Sequence, residues 1–335
     1  MKKTYVTSFA WIVSLVLSLA LYSCVEEEFK HSLIEIVEND PNVVVFQKHK
    51  SGKGVMIILM ADGYVDEIET LYDMYNHLFQ EPPYPELKKY FDVVGLLGGE
   101  SLHLGIKAGN RMYEADYLGV IQSMQRTLGL PSLDNTCIVV AVSTKLPTKR
   151  SVTYLCNNLQ SPTLALCRWT GCSDEYKTYI LAHEVGGHCL AGLEDEYVEF
   201  KGVISEMKKK EIQVFQNAGM FENISLSPKD VPWEELSAEK ADDVSVIEGG
   251  AQYEKGVFRS SPVSIMSTYG TGFNTVGRFL IWMNVHKRAG FSSSLSQFLD
   301  YERKNMENIR TRSFAHLNFQ EEHEGVKKCI LFEKY

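Results

Sequence analysis

The segment Leu181-Ala-His-Glu-Val-Gly-Gly-His188, followed by Cys-Leu-Ala-Gly-Leu-Glu-Asp-Glu-Tyr197, carries the residue types of a zinc-hydrolase site. In the common arrangement, His-Glu-x-x-His lies on a helix: two imidazoles one turn apart bind the metal, and the Glu serves as general base. Here the second His comes one residue late. Residues four apart on an α-helix lie about 40° apart around the axis, and residues five apart about 140°. His183 and His188 would therefore face different sides of an ideal helix. One π-turn, with i→i+5 spacing, returns them to one face, and such turns favour functional sites. Gly186 and Gly187 make that distortion feasible. Each is a poor helix former, by about 1 kcal/mol relative to Ala, so the pair has no use in a purely structural helix.

A third ligand, His or carboxylate, should follow shortly downstream. Glu194, Asp195 and Glu196 are the candidates, and Gly192 permits the sharp turn that swings one of them back. Asp195 is chosen, because a short side chain fits a tight return and zinc accepts a carboxylate oxygen. Metzincin-type sites read His-Glu-x-x-His-x-x-Gly-x-x-(His/Asp). Gly192 and Asp195 each stand one position later than in that pattern. The expected set is thus His183, His188 and Asp195 on the metal, with Glu184 as catalytic base. Downstream, Ser264-Ile-Met-Ser-Thr-Tyr269 is a candidate Met-turn. Met266 would form an apolar floor under the metal, and Tyr269 would help hold the oxyanion. A lone Met is better explained by core packing; beside the His-Glu motif the two readings weigh evenly.

These residues need a scaffold. Val43–Phe46 and Gly54–Met60 read as strands, and the run Val55–Met60 is apolar throughout, as in a buried parallel strand. A turn at Ala61-Asp-Gly-Tyr64 leads into a helix with Ile68, Leu71, Tyr72, Tyr75 and Leu78 in phase. Tyr90–Leu97 and Thr136–Val142 are further strands, and Tyr117–Leu128 is helical. The alternation predicts an α/β domain whose largely parallel, twisted sheet is packed by helices. Ser173 then caps the active-site helix, with acids in its first turn and Tyr176, Tyr179 and Ile180 in phase with His183. Glu199–Val231 reads as helix plus loop, Val246–Val257 as a Gly-rich turn, and Asn274–Ala289 as a helix. The tail from Phe291 begins helical, and Lys328–Glu333 would close an edge strand.

The 335 residues, 44% hydrophobic, suit one large domain. Lys2 and Lys3, the apolar run Ala10–Leu21 and Leu21-Tyr-Ser-Cys24 resemble a bacterial lipoprotein leader with its lipobox. Residues 1–24 are therefore read as a signal peptide with Cys24 as the lipidation site, 25–42 as an acidic linker and 43–335 as a single catalytic domain. Val25 in place of Asp argues against inner-membrane retention, and Glu26-Glu-Glu28 resembles a surface-export signal. The expected location is lipid-anchored outside the inner membrane, at the outer membrane or cell surface. The net charge of −9 and the lack of a long basic run speak against nucleic acid as a partner. Membrane contact is expected only through the lipid at Cys24. Besides Cys24 the chain holds Cys137, Cys156, Cys167, Cys172, Cys189 and Cys329. A bridge among Cys156, Cys167 and Cys172 would pin the loop before the motif; buried free thiols are the equal alternative.

Taken together, the segments resemble the IgA-peptidase family of zinc metallopeptidases, metallopeptidase family sixty-four. The resemblance rests on Met60-Ala-Asp-Gly-Tyr64, on His183–Tyr197 with its Leu-x-Asp-Glu-Tyr ending, on Glu248-Gly-Gly-Ala-Gln-Tyr-Glu-Lys-Gly-Val-Phe-Arg259, and on Phe273-Asn274 with Arg278. It covers about residues 43–290, and the extra Gly resembles a trait of its Bacteroidetes-type lipoprotein members. Ala61 replaces a Gly, and Cys189-Leu190 follows the second His where the family tends to have a small residue; neither removes a ligand. The resemblance implies a metzincin-like domain with Zn2+ as cofactor. It would hydrolyse peptide bonds of extracellular or host proteins by a Glu-assisted, metal-bound-water mechanism. Arg278 and Glu248 are either a pair behind the site or an unrelated ion pair. The alternative is a catalytically weak or inactive zinc-binding surface lipoprotein that docks glycan or host protein; the presence of Glu184 speaks against it.

Overall fold

The computed structural model describes residues 33–98, 104–143, 145–239 and 243–305. The lipobox with Cys24, Cys329 and the expected strand at Lys328–Glu333 lie outside the described residues. A six-stranded sheet forms the centre, built from β1 (Val43–Gln47), β2 (Val55–Ala61), β3 (Phe91–Leu96), β4 (Thr136–Ala141), β5 (Val152–Tyr154) and β6 (Thr163–Cys167), in the order β1-β3-β2-β4-β6-β5. The four inner strands are parallel, and β1 and β5 run antiparallel at the two edges.

The apolar runs have a direct cause. Val55, Ile57, Leu59 and Ala61 of β2 enter one core cluster, while Met56, Ile58 and Met60 enter the other. A strand covered on both faces has no polar side to show. On one face lie α1 (Leu33–Val37) and α3 (Tyr117–Leu128). On the other lie α2 (Glu67–Leu78), α4 (Asp174–Ile180) with its continuation, and α6 (Thr275–Arg288). Asp66, Asp116, Ser173 and Asn274 cap α2, α3, α4 and α6 through side-chain acceptors. Residues 295–305 are again helical. This is a mixed α/β domain with a mostly parallel sheet.

A second sheet stands apart from the first. Its long strand β10 (Gln252–Arg259) pairs antiparallel with β8 (Ile224–Ser225) and β9 (Ile247–Gly250), and parallel with β7 (Val198–Val203). Helix α5 (Glu206–Asn217) follows β7. The expected Gly-rich turn is thus the corner of a hairpin, and the stretch read as helix plus loop begins with a strand.

One further expectation differs from the structure, and one pair of alternatives is decided. The stretch read as linker contains α1, whose Ile34 and Val37 are buried against the sheet. Their three-residue spacing was obscured by the acids around them. The cysteines before the metal motif form no bridge: Cys156, Cys167 and Cys172 are free, as are Cys137 and Cys189. Cys167 sits in β6, inside a strand rather than a loop. If α1 belongs to the fold, Ile34→Ala should lower unfolding free energy by about 2–5 kcal/mol, the usual range for such a truncation in a core. Urea denaturation checks this; a loss below about 0.5 kcal/mol would place the segment outside the cooperative unit.

Candidate metal centre

Helix α4 does not end at Ile180. It continues as a π-helix over Leu181–Leu190, so the wide turn expected from the His spacing is present and extends over ten residues. The amide of Ala191 donates to the Gly186 carbonyl, five residues back, at 3.2 Å. The glycines have separate reasons to be there. A Cβ on Gly187 would fall 2.4 Å from the Met266 sulfur, and one on Gly186 would fall 2.8 Å from the Tyr84 ring. Gly192, at φ +65°, reverses the chain after the helix. Gly192 N donates to His188 O and Leu193 N to Gly187 O, which closes the helix end and sends the next residues back toward it.

The reversal brings His183, His188 and Asp195 together. Nε2 of each imidazole lies 3.3 Å from Asp195 Oδ1. The two rings stand nearly perpendicular, with centroids 4.9 Å apart. The other nitrogens are committed: His183 Nδ1 donates to Ile265 O at 2.9 Å and His188 Nδ1 to Leu193 O at 2.7 Å. A carbonyl can only accept, so these bonds place a proton on each Nδ1 and free each Nε2 to act as a ligand. Asp195 Oδ1 is buried and receives no hydrogen bond in good alignment. Two Nε2 atoms and an orphaned carboxylate oxygen thus face a common point, which is the donor set of a divalent cation. Without the cation, burial alone would push His188 down, but the Asp195 carboxylate outweighs it, with Glu184 adding to the effect, and lifts His188 to about 9. Burial would raise Asp195, yet His183 and His188 hold it well below the ordinary carboxylate range.

The neighbouring acids do other work. Glu194 accepts from Lys208 Nζ at 2.8 Å. Glu196 accepts from Ser264 Oγ at 2.5 Å, Asn223 at 2.9 Å and Asn274 at 3.2 Å, tying the ligand loop to the turn below it. Glu184, the residue after His183, is buried, and its Oε2 accepts from Thr153 Oγ1 at 2.6 Å. Met266 is buried against Gly187, and its carbonyl accepts from Glu196 N. The segment around it therefore supports both His183, through Ile265 O, and the return to Asp195.

Tyr269 is held beside the start of α4. Its ring packs on Tyr176 and Tyr179, and its hydroxyl bonds Ser173 at the start of α4. Tyr197 instead bonds Asp195, and Gln252 reaches both Asp195 Oδ2 and the Tyr197 hydroxyl. Arg278 pairs with Glu302 and not with Glu248, whose carboxylate takes the Gly256 amide. Tyr64 bonds Val142 O and Thr170, fastening the turn after β2 to the segments that follow β4 and β6. Thr153, Tyr197 and Gln252 escaped the sequence reading. Tyr197 was visible in the motif as its last residue, whereas nothing near Thr153 sets it apart. A second group, Asp73, His77 and Asp174, has metal-ligand types within reach, but Lys177 Nζ already lies 2.7 Å from Asp73 and 3.4 Å from Asp174. No family model matches the chain, and no curated protein gives a match.

Two outcomes are expected of the purified domain. His183→Ala, His188→Ala and Asp195→Ala should each lower metal occupancy from near one ion per chain, whereas Glu194→Ala and Glu196→Ala should not remove a ligand. Metal analysis of each folded variant decides this; retention of full occupancy by Asp195→Ala would displace it from the set. The second outcome concerns pH. His188 is raised above its ordinary value, so its charge stabilises the metal-free fold below about pH 6.5 and that gain is lost as pH rises through about 9. Metal uptake runs the opposite way, because it must expel this proton. Affinity should rise about tenfold per pH unit toward 9, with release of about one proton. Calorimetry in buffers of different ionisation enthalpy measures that release.

Proposed function

We propose that the chain is a zinc-dependent endopeptidase with a metzincin-like site, a member of the IgA-peptidase family of zinc metallopeptidases, acting on extracellular or host proteins. The observation that carries this reading is the convergence of His183, His188 and Asp195 on one point, with the Glu184 carboxylate on the same π-helical segment. Two nitrogens and one carboxylate oxygen are the three-ligand set of catalytic zinc sites. Bound zinc would supply a Lewis acid that polarises the scissile carbonyl and makes the attacking water more acidic.

The chain's own residues do the rest. Ile265 O and Leu193 O fix the two imidazoles with Nε2 inward. Glu184 accepts the proton of the attacking water and returns it to the leaving amine nitrogen. Thr153 has one hydroxyl proton, and it goes to the Glu184 carboxylate at 2.6 Å rather than to the Glu184 carbonyl at 3.2 Å, which fixes the rotation of the base. Thr153 lies on β5, which pairs only with β6 among the described residues. Its outer edge offers backbone donors and acceptors to an extended peptide beside the base, which supports a substrate that is a polypeptide chain. An oxyanion role for Tyr269 requires its hydroxyl to leave Ser173 when substrate binds. Export and lipid anchoring through Cys24 complete the reading and place the substrate outside the inner membrane.

Glu184→Gln tests it. The variant keeps shape and metal ligands but loses the proton acceptor. Cleavage of a broad peptide library should fall about 10²- to 10⁴-fold, with bound zinc unchanged. Turnover at the wild-type rate would overturn the mechanism.

A further inference from the structure

A π-helix that ends inside the protein has an accounting problem. The last carbonyls of any helix lack intrahelical donors, and buried carbonyls must find partners elsewhere. Cys189, Leu190, Ala191 and Leu193 are all buried, so water does not solve it. The partners can be followed one by one. Gly187 O and His188 O take the amides of Leu193 and Gly192, and Gly192 O takes that of Phe221. Gly186 O takes the Ala191 amide and also the Tyr84 hydroxyl, at 2.7 Å. Cys189 O takes Arg288 Nη1 at 2.8 Å, with Leu190 O 3.4 Å from the same nitrogen. Ala191 O takes Asn284 Nδ2 at 2.7 Å.

Three of these donors are side chains from outside the helix. Asn284 and Arg288 stand four apart on α6, hence on one face. Tyr84 comes from the short helical turn Tyr84–Leu87 between α2 and β3, and its ring covers Gly186. Arg288 is the telling case. It is 2% exposed, meets no carboxylate among the described residues, and its Nη2 has no partner. A buried cation without a counter-charge is costly. What it meets instead is the negative end of the metal-bearing helix, while Asn135 Oδ1 holds its Nε at 2.8 Å.

We infer that Tyr84, Asn284 and Arg288 are positioning residues for the metal centre: their side-chain donors hold the end of the helix in its wide-turn form and thereby keep His188 on the same face as His183. Their donors reach backbone carbonyls on either side of His188 and act through them. This rests on the metal-site reading above, although not on peptidase activity.

The test compares Tyr84→Phe, Asn284→Ala, Arg288→Met and Arg288→Lys, each full chain, for zinc Kd, for the visible spectrum of the cobalt-loaded protein, and for thermal stability. Tyr84→Phe removes one hydroxyl and leaves the ring on Gly186. Zinc Kd should weaken about ten- to a hundredfold in Tyr84→Phe and Asn284→Ala, the range seen when groups supporting a ligand are lost. The cobalt bands should shift, and Arg288→Lys should recover part of what Arg288→Met loses. If Tyr84→Phe and Asn284→Ala fold with zinc Kd within about twofold of wild type and an unchanged cobalt spectrum, the inference is overturned, whatever their melting temperatures. A wild-type chain that takes up no zinc overturns it together with the proposed function. A wild-type chain that binds zinc but cuts no peptide removes the proposed function alone, and the Tyr84→Phe result still decides this inference.

Discussion

One constraint governs the centre of this protein: two imidazoles separated by four residues instead of three must reach the same point. An α-helix cannot do this, because the extra residue adds about 100° of rotation. The structure meets the requirement with a widened helix, and much of its surroundings serves that widening. A wider turn needs room on one side, so Gly186 and Gly187 approach Tyr84 and Met266 closely enough that a Cβ would force those side chains to shift. It also shifts the register of every later carbonyl, so the end of the helix takes donors from Tyr84, Asn284 and Arg288. The two glycines and the three donors are parts of one arrangement.

The same constraint explains why Asp195 alone of three consecutive acids faces the imidazoles. Once Gly192 turns the chain, successive side chains alternate in direction. Asp195 points at the two Nε2 atoms; Glu194 and Glu196 point the other way, toward Lys208 and toward Ser264, Asn223 and Asn274. Burial raises Glu194 and Glu196, and the hydrogen-bond donors and cation around them pull in the opposite direction. Such buried, well-bonded carboxyls hold the loop stiff. The loop in turn presents Leu193 O to His188. The placing of Asp195 and the orientation of His188 are set by the same short segment.

How much of this was legible beforehand follows from the range of the forces involved. The parallel strands were readable because β2, β3 and β4 are buried on both faces and write that fact as unbroken apolar runs. The wide turn was readable because spacing on a helix is local geometry. β6 was missed because Thr-Leu-Ala-Leu-Cys is short and sits among cysteines that invited a different reading. β7 was missed because Val-Glu-Phe-Lys-Gly-Val stays largely exposed, leaving no core face to mark it. The partners of Tyr269 and Arg278 were not legible for another reason: a side chain's partner across the fold is not encoded in its neighbours. Arg278 finds Glu302, and Thr153, thirty-one residues before Glu184, becomes the group that holds it.

Arg288 shows why such long-range partners carry the most information once the structure is known. From sequence it is a basic residue in the last turn of a helix, where cations commonly favour their own helix end. In the fold its Nη1 reaches a different helix, at Cys189 and Leu190, and its Nε reaches Asn135 at the start of β4. Asn135 holds φ +60° and donates in turn to Gly54 O and Arg288 O. The residues just before two central strands, the end of α6 and the end of the metal-bearing helix are thereby joined through one buried guanidinium. A displacement of His188 relative to the sheet would have to break these bonds inside a packed interior where no water replaces them, at about 1–3 kcal/mol for each polar group left unpaired. The precision with which His183, His188 and Asp195 meet is therefore a property of the sheet and of α6 as much as of the helix that carries the histidines.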